Sequence, residues 1–205
     1  HHHEYNALSN ALINYLKKVD TSILRKDSEA YLFLENIMDS PFRDTFLIVD
    51  FNYTDSVERI LASLGIAENE IQDRIKKVHG TLKSGNIIFG VEDGRNFKEE
   101  DEYDFLRKSS NRDYGREVDV SSVMIMAREV DVFGSSMGQT DERHFEDYFA
   151  NRRTRSSPER PQNFNLYYHG DDSLRRLEAR ISALTLRGKS GFKTNTTFNP
   201  IPLAE

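Results

Sequence analysis

Phe46-Leu47-Ile48-Val49-Asp50-Phe51-Asn52-Tyr53-Thr54-Asp55 is the stretch whose reading decides the fold. A short, nearly all-apolar run rich in β-branched and aromatic residues has the pattern of a strand buried on both faces. It passes into a polar knot, Asn52 to Asp55, and then into Val57, Ile60, Leu61 and Leu64, spaced as one face of a helix over about 55–64 that ends at Gly65. In open α/β sheets ligands sit beyond the carboxyl ends of the strands, beside helix N-termini. Val78-His79-Gly80 repeats the arrangement, as does Val132-Phe133-Gly134-Ser135-Ser136-Met137-Gly138-Gln139-Thr140-Asp141. The three loops are expected to converge on one pocket.

Working outward, the segment before this strand holds two helical patterns. Leu8, Ala11, Leu12, Tyr15, Leu16 and Val19 form one apolar stripe, and a second helix over about 27–38 opens at Asp27-Ser28-Glu29 and stops at Asp39-Ser40-Pro41. An α/β sheet normally opens with a strand, so these helices imply that the natural protein begins further upstream. After the first strand, Glu68 to Lys77 reads as a short helix or a charged connector. Ser84-Gly85-Asn86 is a turn, and Ile87 to Val91 is a second buried strand. Residues 92–117 are dominated by charged and small polar side chains and are expected to be a mobile excursion.

Val120 to Val130 fits helix or strand, and Glu129-Val130-Asp131-Val132-Phe133 alternates as a strand. Thr140 is placed to cap a helix over about 141–151, with Glu142 in its first turn. Arg152 to Pro161 reads as a basic linker. Phe164 to Tyr168 is a strand, and Asp171-Asp172-Ser173 opens a helix with the stripe Leu174, Leu177, Ile181 and Leu184. The expected fold is α/β with a mostly parallel sheet and flanking helices, two of them at the N-terminus. Its divisions are residues 1–3 (His1-His2-His3, read as a tag remnant), helices over 4–45, an α/β domain over 46–188 and a tail over 189–205.

A formal charge of −6 argues against a broad nucleic-acid or anionic-membrane surface. The chain has no cysteine, which removes disulfides, thiolate chemistry and cysteine-based zinc sites. With no signal peptide and no apolar run of about 18 residues, a cytoplasmic protein without membrane contact is expected.

Each candidate residue has a functional and a plain reading. A buried Asn52 carboxamide at a strand end can hold a ribose hydroxyl or a water, or it can tie down its own turn. Asp55 can serve catalysis or cap the next helix. His79, bracketed by Val78 and Gly80, can act as a general base or be a packed histidine. Gly134, Ser135 and Ser136 can bring backbone N–H groups to a phosphate at a helix start, as any Gly-Ser turn can. His144, Glu146 and His169 lack metal-site spacing and are read as surface residues. Carboxylates clustered for a divalent-metal nuclease are not found beyond Asp50 and Asp55.

Taken in order, Phe51-Asn52-Tyr53-Thr54-Asp55, His79-Gly80, Ile88-Phe89-Gly90 and Phe133 to Asp141 resemble the bacterial phage abortive-infection family AbiH over about residues 46–150. That pattern is in turn similar to sirtuin-like domains, which have a Rossmann-like fold and cleave NAD. The resemblance implies a phage-defence protein in which Asn52 contacts ribose, His79 is the base, Asp55 stands near the nicotinamide, and Gly134, Ser135, Ser136 and Asp141 hold the dinucleotide. It implies NAD as substrate or ligand, no metal, a phage-derived or other protein trigger, and a homo-oligomer. Three sirtuin-like features differ: the carboxylate follows the asparagine by three residues and not two, a Gly-rich loop on the first strand is missing, and so is a four-cysteine zinc module. The alternative is a non-catalytic nucleotide-sensing or protein-interaction domain.

Overall fold

The computed structural model describes residues 2–19, 24–90, 106–108, 118–138, 140–150, 161–186, 192 and 196–204. The expected excursion at 92–117, apart from 106–108, and the basic linker with Arg152, Arg153 and Arg155 lie outside the described residues. The chain divides into two compact units, residues 1–118 and 119–205.

The first unit opens with α1 (His2–Val19) and α2 (Glu29–Asp39). Ser28 caps α2 by accepting the Tyr31 N–H at 3.3 Å, and Ser40, held extended before Pro41, ends it. The stripe expected on α1 is rotated. Leu8 and Tyr15 are 60% and 63% exposed, whereas Tyr5, Leu12 and Leu16 are half-buried. Tyr5 sets that orientation by stacking on Phe89 at 4.8 Å and donating its hydroxyl to the Phe89 carbonyl.

β1 is only Ile48–Asp50, and it pairs in parallel with β2 (Ile75–Lys77). Between them run α3 (Ser56–Ser63) and α4 (Glu68–Arg74). The expected longer strand buried on both faces is therefore corrected. Leu47 is exposed, the Phe46 ring is taken by the Arg74 guanidinium at 4.6 Å, and the most buried strand residue is Asp50. The core of the unit packs Tyr31, Leu34 and Met38 of α2 against Ile60 and Leu61 of α3, with Ile66, Ile71 and Ile75. β3 (Gly80–Thr81) and β4 (Asn86–Ile87) form a small antiparallel hairpin. This replaces the buried strand expected over 87–91: Ile88 is buried, but its N–H goes to the His79 carbonyl at 2.8 Å.

In the second unit the ambiguous segment resolves as α5 (Val120–Met126), capped by the Asp119 carboxylate on the Ser122 N–H at 3.1 Å. Those bonds from Ser122 hold the Asp119 carboxyl below its ordinary range. β5 (Glu129–Val132), β6 (Gln162–Tyr168) and β7 (Thr196–Pro202) make a parallel sheet in that order, with α6 (Arg143–Ala150) and α7 (Gly170–Leu186) in the two connections. β7 lies in the stretch expected only as a tail. The stripe on α7 packs as expected, with Leu177, Ile181 and Leu184 buried.

Tyr148, Phe149, Phe164 and Phe192 meet at ring separations of 4.9–6.0 Å, mostly edge to face. Buried Gln162 accepts from the Tyr148 hydroxyl and donates to the Met124 and Ala127 carbonyls at the end of α5, each at 2.7 Å. Burial without an anionic role raises the Tyr148 hydroxyl above its usual range. The protein is thus a mixed α/β chain in which, among the described residues, the parallel strands pair in small sheets, β1–β2 in the first unit and β5–β6–β7 in the second, where the alternation suggests one wound sheet.

Candidate functional site

The parallel pairing of β1 and β2 brings two of the expected loops together. Asp50 and Lys77 are opposite each other at the carboxyl ends of the strands, so Asn52 and His79 each follow two residues beyond a paired end. The Val78 N–H donates to the Asp50 carbonyl at 3.0 Å, extending the ladder to the residue before His79. The His79 ring is 5% exposed and lies beside Phe51 at 5.6 Å and Tyr53 at 6.2 Å, the two residues that flank Asn52 in sequence. Tyr53 is itself anchored by its hydroxyl on the Ile88 carbonyl at 3.1 Å.

Asn52 is exposed, which corrects the buried carboxamide expected from the sequence. Its amide Nδ2 and its backbone N–H both donate to Asp50 Oδ1, at 3.1 and 2.8 Å. Asp50 Oδ2 in turn accepts from Lys77 Nζ at 2.7 Å. Lys77 Nζ reaches the Thr54 carbonyl at 2.5 Å and Glu58 Oε2 at 3.1 Å. Asp50 and Lys77 are 4% and 8% exposed, so a buried ion pair joins the two strand ends and ties the Asn52 loop to α3. In the sequence Asp50 stood out only as a carboxylate at a strand end, and Lys77 not at all. Lys77 looked like part of a charged connector, and three-residue β2 gave no periodic signal.

Asp55 takes the N-cap position of α3 without a side-chain cap hydrogen bond. Its carboxylate pairs instead with Arg59 one turn later, at 3.0 Å, and is half exposed. The helix start is closed by Thr54 and Ser56, whose hydroxyls are 3.0 Å apart.

Gly134, Ser135, Ser136 and Asp141 belong to the second unit, whereas Asn52, Asp55 and His79 belong to the first. Gly134 has φ +65°, and a Cβ there would meet nothing within 4 Å, so the backbone at this point is open. The Ser135 hydroxyl turns inward and accepts the Met137 N–H at 3.1 Å. Met137, fully buried, is held at φ 45°. Arg180 of α7 fastens the loop: Nε donates to the Met137 carbonyl at 3.0 Å and Nη2 to Glu142 at 2.5 Å. α6 starts at Arg143, so Gly134 to Ser136 do not stand at its N-terminus, and Thr140 lies in the turn just ahead of it.

Two further side-chain groups bear on the chemistry. His144, expected at the surface, is buried in α6 with its carbonyl accepting the Ser121 hydroxyl. On the sheet, Asn165 Nδ2 donates to both Glu129 (2.9 Å) and Asp131 (3.0 Å), and Asn199 donates to Asn165. The Tyr167 hydroxyl on Asp131 is pushed up to about 12, first by burial and then by the neighbouring carboxylate. Among the described residues, no three His, Cys, Asp or Glu side chains are grouped so as to hold a metal ion.

A family model described as bacteriophage abortive infection AbiH matches residues 1–158. The chain belongs to the AbiH family. The match runs through the whole of the first unit and through α5, β5 and α6 of the second, further at both ends than the motifs that suggested it. Membership places this AbiH chain among proteins of phage abortive infection. No curated protein and no solved structure matches it. Among the described residues, no helix of the AbiH chain is long and apolar enough to cross a membrane.

Proposed function

We propose that this AbiH protein acts in phage defence by binding a nucleotide of the NAD class at the carboxyl ends of β1 and β2 and cleaving it, with Asn52 orienting the ribose or the attacking water and His79 as general base. The reading takes the Rossmann-like, sirtuin-like pattern as its guide. It is carried by one observation: adjacent parallel strands end side by side at Asp50 and Lys77, two residues before Asn52 and His79, the place where open α/β sheets hold ligands. In the reaction the nicotinamide–ribose C–N bond breaks, the water oxygen bonds to the ribose carbon, and the water proton passes to the His79 imidazole. Gly134, Ser135, Ser136 and Asp141 are assigned to the dinucleotide, and Asp55 to the nicotinamide side, on the same reading.

A second reading is that the protein senses a nucleotide, or a protein trigger, without cleaving it. The burial of His79 between Phe51 and Tyr53 favours it, because a base must reach its proton. Incubation with NAD and measurement of free nicotinamide separates the two. Release by the wild type, reduced at least about a hundredfold in His79→Ala, supports cleavage. NAD binding with no release in either protein supports sensing, and the absence of both sinks the nucleotide reading.

A further inference from the structure

Asp50 has two oxygens and, as the partner of Lys77, no proton to give. One oxygen receives two N–H groups from Asn52, the backbone amide and Nδ2. An amide turned the other way would set its carbonyl oxygen against a carboxylate oxygen, two acceptors with no proton between them. The buried carboxylate therefore fixes which end of the Asn52 carboxamide faces away from the strand. That end is Oδ1, an acceptor, on an exposed residue, and no donor among the described residues reaches it.

The cation beside it is already spent. Lys77 Nζ donates to Asp50 Oδ2 and to the Thr54 carbonyl, and its charge is also paired with Glu58 Oε2 at 3.1 Å. Against this one positive charge stand two carboxylates. Among the described residues, the strand ends thus offer an anion no uncompensated cation, and they offer one well-held neutral acceptor.

We propose that Asp50 is a positioning residue that sets the polarity of the site: by locking the Asn52 amide with Oδ1 outward, it makes the carboxyl ends of β1 and β2 take a ligand through a hydrogen-bond donor of the sugar-hydroxyl class and not through phosphate. The proposal rests on the nucleotide reading for its ligand, but the amide orientation stands apart from it. Any phosphate of the ligand is then held elsewhere than at Asn52.

The test has two arms. The Asn52 side-chain amide is followed in ¹H–¹⁵N spectra of the full chain, assigned by its loss in Asn52→Ala. One Nδ2 proton should be shifted and protected from solvent exchange, and Asp50→Asn should abolish that signature, since an amide partner accepts either orientation. In the second arm, NAD and inorganic pyrophosphate are titrated into the wild type and into Asn52→Ala, whose exposed position leaves the fold intact. Asn52→Ala should weaken NAD about fivefold to tenfold, the loss of one hydrogen bond, and leave pyrophosphate unchanged. Two Nδ2 protons exchanging as in free amide, or pyrophosphate weakened as much as NAD, overturns the proposal. Should the wild type bind no NAD, the nucleotide reading fails, and the amide spectrum alone decides whether Asp50 holds Asn52 as stated.

Discussion

Lys77 takes a positive charge to a position 8% exposed, and what makes this tolerable is the trio of oxygens around its nitrogen. Removing one member of a buried pair leaves the other charge uncompensated, typically at about 3–5 kcal/mol. Lys77→Met should therefore destabilise the chain by that amount in urea titration. Asp50→Leu combined with Lys77→Met should recover at least half of the loss, because a buried pair replaced as a whole by apolar groups is often neutral. If the double variant is as unstable as the single one, the side chains act through something other than their mutual charge. At this scale the sequence was a poor guide. Nothing in Ile75-Lys76-Lys77 distinguishes the buried lysine from its half-exposed neighbour, since only the register with Asp50 makes the difference.

Among the elements, the β3–β4 hairpin holds His79 from its far side, and its geometry depends on Gly80. This residue sits at φ +75°, and a Cβ on it would lie 1.7 Å from the Asn86 carbonyl oxygen. Gly65, at the end of α3, has φ +88° with nothing within 4 Å of the same atom. Alanine at Gly65 should cost only the backbone term, about 1–2 kcal/mol. Alanine at Gly80 should add an overpacking term and cost about 2–5 kcal/mol. Urea midpoints of the two variants compare them directly, and equal losses would show that the hairpin opens freely. Helix boundaries were the most legible elements: Ser28, Ser40 before Pro41 and Gly65 all stand where capping chemistry put them. Short strands were not legible, because two or three residues of β2, β3 and β4 carry no measurable period, and β7 was hidden by Pro200 and Pro202, which are tolerated on a sheet edge. Of the candidate site, the strand-end placement of Asn52 and His79 was readable from composition, whereas the exposure of one and the burial of the other came from packing.

For the whole molecule, the family match and the fold stop at different places. The matched residues end at 158, yet β6, the middle strand of the second unit, starts at Gln162. The matched part therefore contains β5 without the strand it pairs with, and α6 without the rings it packs on. Phe164, Leu166, Leu177, Ile181 and Leu184, all buried, lie beyond it. Each contributes about 1.5–3 kcal/mol on burial, and together they exceed much of the 5–15 kcal/mol that an ordinary domain has in total. A chain ended at residue 158 should thus lose the second unit: α5 and α6 amides unprotected in hydrogen exchange, and Tyr148 and Phe149 exposed enough to bind a hydrophobic dye. The α2 and α3 amides, whose core partners all lie before residue 118, should stay protected. Protection of α5 and α6 in the shortened chain would contradict this, and would mean that their packing does not need the sheet. A function test on the matched segment alone would then also become meaningful, whereas a collapsed second unit would remove the Gly134 loop from any assay of it.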